Sequence, residues 1–137
     1  MALVLDTGPL LAAFDAADPD HQACASLLTE AEEDLVVPAL VLGELDYWCT
    51  ERLDPRVWLA FLDDLLAGAY RVEAPIGEDY ARCRALQEQY ADLSVGVVDA
   101  SVLALVERLG EDKLATLDHR HFSVMRPAHV DALALVP

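Results

Sequence analysis

The stretch "MALVLDTGPLLAAF" (residues 1–14) decides the fold, because its apolar opening stops abruptly on a carboxylate. Residues 2–5 are typical of a buried strand, and Asp6 follows them directly. One explanation is local: aspartate is among the best helix N-caps, and Pro9 suits the first turn of a helix behind it. The other explanation is a functional site at the end of the strand. That explanation requires further acids in comparably unusual positions.

The composition predicts one globular domain spanning residues 1–137. A chain of 137 residues, 55% of them hydrophobic, is large enough to bury a single core. No apolar run reaches the roughly 18 residues of a membrane span, and the N-terminus lacks the pattern of a signal peptide, so we expect a cytoplasmic protein that does not enter a membrane. Cys24, Cys49 and Cys83 are far apart and form no CxxC pair. We therefore expect buried thiols, with neither a disulfide framework nor a zinc site.

The charge is strongly negative and unevenly distributed. The formal net charge is −16, which by itself counts against nucleic-acid binding, because phosphate affinity comes largely from Lys and Arg. Residues 1–80 contain 17 acids and 3 arginines, whereas residues 81–137 contain 8 acids and 6 basic residues. We expect an anionic substrate to approach the C-terminal half and a basic partner to prefer the acidic half.

Short apolar segments alternate with longer helical patterns along the whole chain. The predicted strands are 2–6, 35–38, 70–75, 113–118 and 132–136, and the predicted helices are 19–34, 39–53, 54–68, 76–91 and 97–110. Strands separated by helices pair in parallel through right-handed crossovers, so the fold class is α/β, a three-layer α/β/α sandwich with a central parallel sheet. Ligands of such open sheets bind outside the carboxyl ends of the strands. Asp6 and Asp118 end two of the predicted strands.

Two more acids lie on helices where apolar residues are expected. Glu44 has Leu40 and Trp48 at i−4 and i+4, which places it on or beside the apolar stripe. Asp99 has apolar residues at −4, +3, +4 and +7, although it also lies in the first helical turn, where the helix dipole favours an acid. A lone buried carboxylate is costly or takes up a proton. A positive charge is therefore expected near both.

Each of these acids has an ordinary explanation when taken alone. Asp6, Asp99 and Asp118 can be helix caps, and Glu44 can be a half-exposed acid. Taken together in one pocket, four like charges repel unless a divalent cation neutralises them, and hard oxygen ligands suit Mg²⁺ or Mn²⁺. The sequence therefore predicts a metal site built from these four carboxylates.

Four segments resemble, in order and spacing, the four acidic motifs of the PIN domain. They are "LDTGPLLA" (5–12), "VLGELDYW" (41–48), "VGVVDASVLALVERLG" (95–110) and "LATLDHRHF" (114–122). The length and the opening segment are most similar to the VapC group, the ribonuclease toxins of bacterial toxin–antitoxin pairs. The resemblance implies a metal-dependent endoribonuclease that hydrolyses phosphodiester bonds of a structured RNA, tRNA or rRNA, and leaves a 5′-phosphate and a 3′-hydroxyl.

The resemblance also implies roles for individual residues. Asp6, Glu44 and Asp99 match the family's direct or water-mediated metal ligands, and Asp118 matches the acid that completes the pocket or orients the attacking water. Thr7 matches the Thr or Ser that follows the first aspartate, for which we expect a supporting role or simple stabilisation of the turn.

Contacts to RNA are less clearly encoded. Arg120 and His119 follow the fourth acid directly and could reach phosphates, although Arg120 is equally explained by a surface ion pair. We interpret His119 and His121 as solvated loop residues, or His121 as partly packed beside Phe122, rather than as a metal clip. Asp92 is interpreted as a cap or turn residue, with an outer role at the metal as the alternative.

The resemblance implies two protein partners. One is a VapB-like antitoxin with a basic tail that could place an Arg or Lys in the acidic pocket, and the other is a second copy of the chain in a homodimer. Tyr47, Trp48, Trp58 and Phe61 lie on two consecutive predicted helices. They are equally explained as a docking groove for the antitoxin or as core and dimer packing.

Two other functions remain as alternatives. A PIN-like domain retained only for complex formation would share the fold, but its site acids need not be intact. A receiver-type phosphoacceptor domain needs paired acids after its first strand, an aspartate after a middle strand and a lysine near the end. The sole lysine, Lys113, is at the start of its predicted strand rather than after it, and no strand-end aspartate lies in the middle of the chain.

Overall fold

A computed structural model describes residues 1–137 and contains one five-stranded sheet. Its strands are β1 (Ala2–Leu5), β2 (Asp34–Pro38), β3 (Arg71–Glu73), β4 (Lys113–Ala115) and β5 (Ala134–Val136). The spatial order is β3-β2-β1-β4-β5, and all four pairings are parallel. Helices flank the sheet, so the predicted three-layer α/β/α sandwich is confirmed.

Five of the seven helices lie where the sequence predicts them and are shorter than predicted. The seven are α1 (Thr7–Phe14), α2 (His21–Glu30), α3 (Ala39–Arg52), α4 (Pro55–Leu66), α5 (Gly77–Gln89), α6 (Val97–Leu109) and α7 (His119–Phe122), with a 3-10 turn at Ala91–Leu93. Two of them, α1 and α7, were not predicted. Gly110 ends α6 in the left-handed conformation, with φ of 69°, which glycine adopts without strain. No helix has both the length and the apolar character required to cross a membrane.

The core is organised around the central strand and one helix. All of β1 is buried, because β2 and β4 cover both of its edges. Residues 100–106 of α6 are buried on every side, which is typical of a helix packed inside a domain. The three cysteines are free and buried, as the sequence predicts. Phe61 is 1% exposed and belongs to the core, and the half-buried Trp58 packs against it.

Two elements next to the acids differ from the prediction. Thr7–Phe14 forms a helix directly after β1, and Asp6 is its N-cap. The prediction that Asp118 ends the fourth strand is wrong, because β4 stops at Ala115. Asp118 instead caps the short helix α7, where its Oδ1 accepts a hydrogen bond from the His121 amide at 3.2 Å. This cap turns the chain away from the sheet.

Candidate metal centre

The pairing of β1 with β4 brings the first and last acidic segments to one edge of the sheet. Leu5 is paired with Ala115, and the Asp6 amide donates to the Ala115 carbonyl at 2.9 Å. Because β1 and β4 are parallel, the segments that follow them leave the sheet at the same edge. The segment 116–118 therefore passes beside Asp6.

Asp6 is a buried carboxylate held by two neutral donors. It is 5% exposed; its Oδ1 accepts from the Thr7 amide at 2.8 Å and its Oδ2 from the Thr116 hydroxyl at 2.8 Å. The pKa of Asp6 is raised from its ordinary value of 3.8 to about 6, chiefly by burial and to a smaller extent by the negative charges of Asp99 and Glu44, against the lowering effect of the two hydrogen bonds. Asp99 and Glu44 thus both lie within electrostatic reach of Asp6.

Glu44 reaches the same edge from α3. It is half-buried, and its Oε1 accepts a hydrogen bond from the Thr7 hydroxyl at 2.7 Å. Thr7 thereby connects two acids, since its amide holds Asp6 and its hydroxyl holds Glu44. For Thr7 the sequence predicts either a supporting role, at the Asp6 carboxylate or a metal-bound water, or simple stabilisation of the turn. The structure shows its amide on that carboxylate, and its hydroxyl on Glu44.

Asp99, Asp118 and His121 form the second part of the site. The His121 Nδ1 atom lies 2.8 Å from Asp99 Oδ2 and 3.3 Å from Asp118 Oδ2. One potential ligand atom from each of the three residues lies within 4.8 Å of the others, a spacing that would suit a shared cation. Burial and the charge of Asp118 raise the pKa of Asp99, whereas the hydrogen bond from His121 lowers it. The hydrogen bond to Asp99 in turn raises the pKa of His121, because it favours the imidazolium form.

One hydrogen-bonded path joins all four predicted acids. The Thr116 hydroxyl, which donates to Asp6, also accepts a hydrogen bond from the Asp118 amide at 3.0 Å. The complete path runs through Glu44, Thr7, Asp6, Thr116, Asp118, His121 and Asp99. The structure therefore brings these acids, from four different elements, into a single network.

A cavity of about 530 Å³ opens onto this network. Asp6, Glu44 and Asp118 line it, and Trp48 and Arg52 line it farther along α3. A larger cavity, of about 860 Å³, lies against the connection from α7 to β5 and contains none of the four acids. The smaller cavity is the candidate site, because three of the four predicted carboxylates line it; Asp99 does not line it.

The buried acids differ in how their charge is compensated. Only Asp6 and Asp79 among the carboxylates are more than nine-tenths buried. Asp79 forms an ion pair with Arg108, whose Nε lies 3.0 Å from Asp79 Oδ2. By contrast, no Lys, Arg or His lies within ion-pair distance of Asp6. A buried carboxylate is normally paired or bound to a metal. The donor set around Asp6 thus fits a hard divalent cation.

The residues predicted to contact RNA are close to the site but outside the cavity. His119 and Arg120 are exposed on α7, directly after Asp118, and neither lines the cavity. The interpretation of His121 as a solvated loop residue is wrong: it is half-buried, helical and hydrogen-bonded to Asp99. His121 lies three residues after Asp118, and this spacing places two residues on the same face of a helix. An alternating, strand-like interpretation of His119 and His121 hides that relation.

Thr116 was missed altogether. It is fully buried and lies two residues before Asp118 in "LATLD", where an uncharged hydroxyl gives no distinctive sequence signal. Asp92 is exposed in the 3-10 turn, consistent with its interpretation as a turn residue.

Comparison with known proteins agrees with this geometry. The family profile described as the PIN domain matches residues 3–126. Ribonuclease VapC26 of Mycobacterium tuberculosis (strain ATCC 25618 / H37Rv) is 33% identical to this chain over 135 residues, which cover 98% of this chain and 100% of the relative.

Solved structures share the fold at lower sequence identity. VapC20 of Mycobacterium tuberculosis, described as a sarcin-ricin loop cleaving toxin, superposes with a TM-score of 0.81 and 18% identity over 95% of this chain and 98% of its own. VapBC2 from Rickettsia felis, bound to a DNA fragment from its promoter, gives a TM-score of 0.69 and 17% identity over 98% and 97%. These two likenesses confirm the three-layer fold.

Proposed function

The chain belongs to the PIN-domain family, as a VapC-type member, and on that premise we propose that it is a metal-dependent endoribonuclease and the toxin of a toxin–antitoxin pair. The observation that carries the proposal is the convergence of four acids on one hydrogen-bonded network, with the buried carboxylate of Asp6 lacking any cationic side chain. We further propose that residues 1–137 act as one catalytic domain.

We assign the metal to the carboxylates of Asp6, Glu44 and Asp99, with Asp118 completing the pocket. Bound Mg²⁺ or Mn²⁺ would lower the pKa of a water molecule and neutralise charge developing on the phosphate oxygens. Each Asp6 oxygen accepts one hydrogen bond and a carboxylate oxygen has two acceptor sites, so capacity for a ligand remains on both.

The remaining residues of the network position the ligands and the water. Thr7 and Thr116 fix the orientation of Asp6, since each donates to a different oxygen of that carboxylate. His121 contacts both acids, with its Nδ1 hydrogen-bonded to Asp99 and its amide donating to Asp118, and so limits how far the two carboxylates separate. We assign Asp118 to orienting the attacking water in line with the scissile bond, which leaves a 5′-phosphate and a 3′-hydroxyl.

The substrate is proposed to be a structured RNA, either tRNA or rRNA. The exposed His119 and Arg120 lie next to Asp118 on α7, where they can contact phosphates on either side of the scissile one. This substrate class fits a cytoplasmic enzyme, and we propose that location.

The proposed protein partner is a VapB-like antitoxin with a basic tail. Two related structures are complexes described as VapBC, from Rickettsia felis and Salmonella typhimurium. The net charge of −16 supports a basic partner, and a cationic side chain from its tail could occupy the four-acid pocket. We also propose a homodimer, which would present two such pockets to the antitoxin.

A cleavage assay with matched variants tests the proposal. The purified protein is incubated with total RNA and Mn²⁺, and new 5′ ends are mapped, in parallel with Asp99→Asn and with Asp46→Asn, an exposed acid on α3. We expect cleavage at discrete positions, a loss of at least about a hundredfold in Asp99→Asn, and wild-type activity in the control. Equal activity of the wild type and Asp99→Asn would refute the enzyme. Absence of any cleavage would favour the non-catalytic interaction module.

A further inference from the structure

We propose that Arg52, held against the ring of Trp48 at the mouth of the acidic cavity, binds a backbone phosphate of the RNA next to the scissile one. The inference rests on the proposed ribonuclease function and adds a substrate-binding residue to it. Arg52 and Trp48 line the same cavity as Asp6, Glu44 and Asp118. A group bound to Arg52 would therefore share a cavity with the reacting phosphate.

The position of Arg52 follows from helical spacing. Glu44, Trp48 and Arg52 are separated by four residues each and form one stripe on α3, which rises about 6 Å between successive members. Helical side chains lean toward the N-terminus of their helix, so the side chain of Arg52 leans toward Trp48 and Glu44. The stripe therefore runs from Glu44 at the candidate metal centre to the positively charged side chain of Arg52.

Aromatic packing fixes the guanidinium in place. The Arg52 guanidinium carbon lies 4.2 Å from the centroid of the Trp48 ring, and Tyr47 packs edge-on against that ring with a centroid distance of 4.8 Å. A guanidinium stacked by its face keeps its N–H edge free to donate two parallel hydrogen bonds to phosphate oxygens. Arg52 is thus restrained without its donors being used.

The distribution of free cations points to the same residue. Six of the nine basic side chains form ion pairs with carboxylates of this chain: Arg56, Arg71, Arg82, Arg84, Arg108 and Lys113. The three without such a partner are Arg52, Arg120 and Arg126. In a chain with 25 acids, an arginine that forms no ion pair although it lines a cavity with three carboxylates is unexpected, unless it binds an anionic ligand.

Arg52 has a second explanation, which the test must separate. It lies in the last turn of α3, where a cation stabilises the helix C-terminus. A residue with only that role would change the melting temperature and leave the Michaelis constant for RNA unaffected. A phosphate-binding residue would change the Michaelis constant and the salt dependence of RNA affinity.

The test compares Arg52→Gln, Arg52→Lys and Arg56→Gln. Arg56 is a matched control, because it is exposed near the same helix end, is paired with Asp54 and carries the same charge. The probe is an RNA oligonucleotide that spans a position cleaved by the wild type in total RNA, assayed with Mn²⁺ over a series of salt concentrations. Melting temperatures are recorded for every variant.

We expect Arg52→Gln to raise the Michaelis constant about tenfold, with kcat and melting temperature unchanged. We also expect it to lower the slope of log affinity against log salt by about 0.7, the value for one phosphate contact on a single strand. Arg52→Lys should recover part of the loss, and Arg56→Gln should match the wild type. If Arg52→Gln matches Arg56→Gln, or changes only the melting temperature, the inference is wrong while the ribonuclease stands. A wild type that cleaves no RNA would instead refute the proposed function, and this inference with it.

Discussion

The Thr116 hydroxyl donates a hydrogen bond to Asp6 Oδ2 at 2.8 Å and accepts one from the Asp118 amide at 3.0 Å. Because the amide can only donate, the hydroxyl proton is left for the carboxylate. One fully buried, uncharged side chain thus sets the position of two acids from different elements. The shape of the acidic site depends on this threonine as well as on the acids themselves.

Replacing Thr116 with valine tests this dependence. The change keeps the shape of the side chain but leaves the Asp118 amide and Asp6 Oδ2 without their partner, so we expect a loss of about 1–3 kcal/mol in the free energy of unfolding. Loss of the hydrogen bond should also raise the pKa of Asp6 further and weaken Mn²⁺ binding at neutral pH about tenfold or more. Urea denaturation and calorimetric metal titration measure these two effects.

Thr116→Ser is the control for the hydroxyl. Serine keeps the donor and the acceptor and loses only a methyl group, so Mn²⁺ affinity should stay near that of the wild type. If the serine and valine variants bind the metal equally, the hydroxyl does not organise the site.

Local rules account for most of the fold. The parallel sheet and the helices α3 to α6 follow from alternating apolar segments and from residues that begin or end a helix, such as Pro55 and Gly110. The strand predicted at 113–118 is too long, because the last amide of this segment that donates to β5 is that of Thr116, to the Val136 carbonyl at 2.9 Å, and the Asp118 amide donates to the Thr116 hydroxyl instead. The Asp118 side chain caps the helix that begins at His119 by accepting from the His121 amide, and this competition between cap and strand is not evident from hydrophobicity.

The residues of the site also fall into two groups, those that the sequence identifies and those that it does not. Asp6, Glu44, Asp99 and Asp118 are identifiable because a carboxylate on an apolar face or at a strand end is unusual. Thr116 and His121 are not, since their roles arise only when α7 folds back toward α6 and β1. That packing places His121 Nδ1 between two acids that are 19 positions apart in the sequence.

Replacing one carboxylate oxygen of Glu44 with an amide nitrogen should abolish catalysis while preserving the fold. Glu44→Gln keeps a carbonyl oxygen that can accept from the Thr7 hydroxyl, so the melting temperature should change little. We expect cleavage to fall about a hundredfold or more. Glu51→Gln, an exposed acid on the same helix, serves as the control and should retain full activity. Chelation with EDTA should stop the wild type, and added Mn²⁺ should restore it; cleavage that persists in EDTA would contradict the metal assignment.

The ion pair between Arg108 and Asp79 should stabilise the packing of α5 on α6 without taking part in catalysis. Asp79 is 4% exposed and also accepts from the Ile76 amide at 3.0 Å, so removing Arg108 leaves a buried charge without its cation. We expect Arg108→Ala to lower the free energy of unfolding by about 1–3 kcal/mol. Arg84→Ala, which breaks an exposed pair, should cost no more than about 0.5 kcal/mol. Equal losses in the two variants, or a lower kcat per folded molecule in Arg108→Ala, would contradict this role.

Asp6→Asn should stabilise the metal-free protein at neutral pH while destroying its activity. The pKa of Asp6 is about 6 in the folded protein, against 3.8 for an ordinary aspartate. The native state therefore holds a proton that the unfolded chain has already lost between about pH 4 and pH 6, and the stability of the wild type falls as the pH rises through that window. A shift of this size corresponds to roughly 3 kcal/mol at pH 7.5, of which the amide should recover about 1–3 kcal/mol.

Urea denaturation in EDTA at pH 7.5 and at pH 4 measures the advantage of Asp6→Asn over the wild type. We expect the advantage to be largest at pH 7.5 and small at pH 4, because in the wild type the neutral acid then fills the same place. Asp46→Asn, exposed on α3, should show no such pH dependence. Added Mn²⁺ should raise the stability of the wild type and leave Asp6→Asn nearly unchanged, since a ligand stabilises only the state that binds it. A variant that is less stable than the wild type at pH 7.5, or that gains equally from Mn²⁺, would show that the Asp6 charge is compensated within the protein and is not held for a cation.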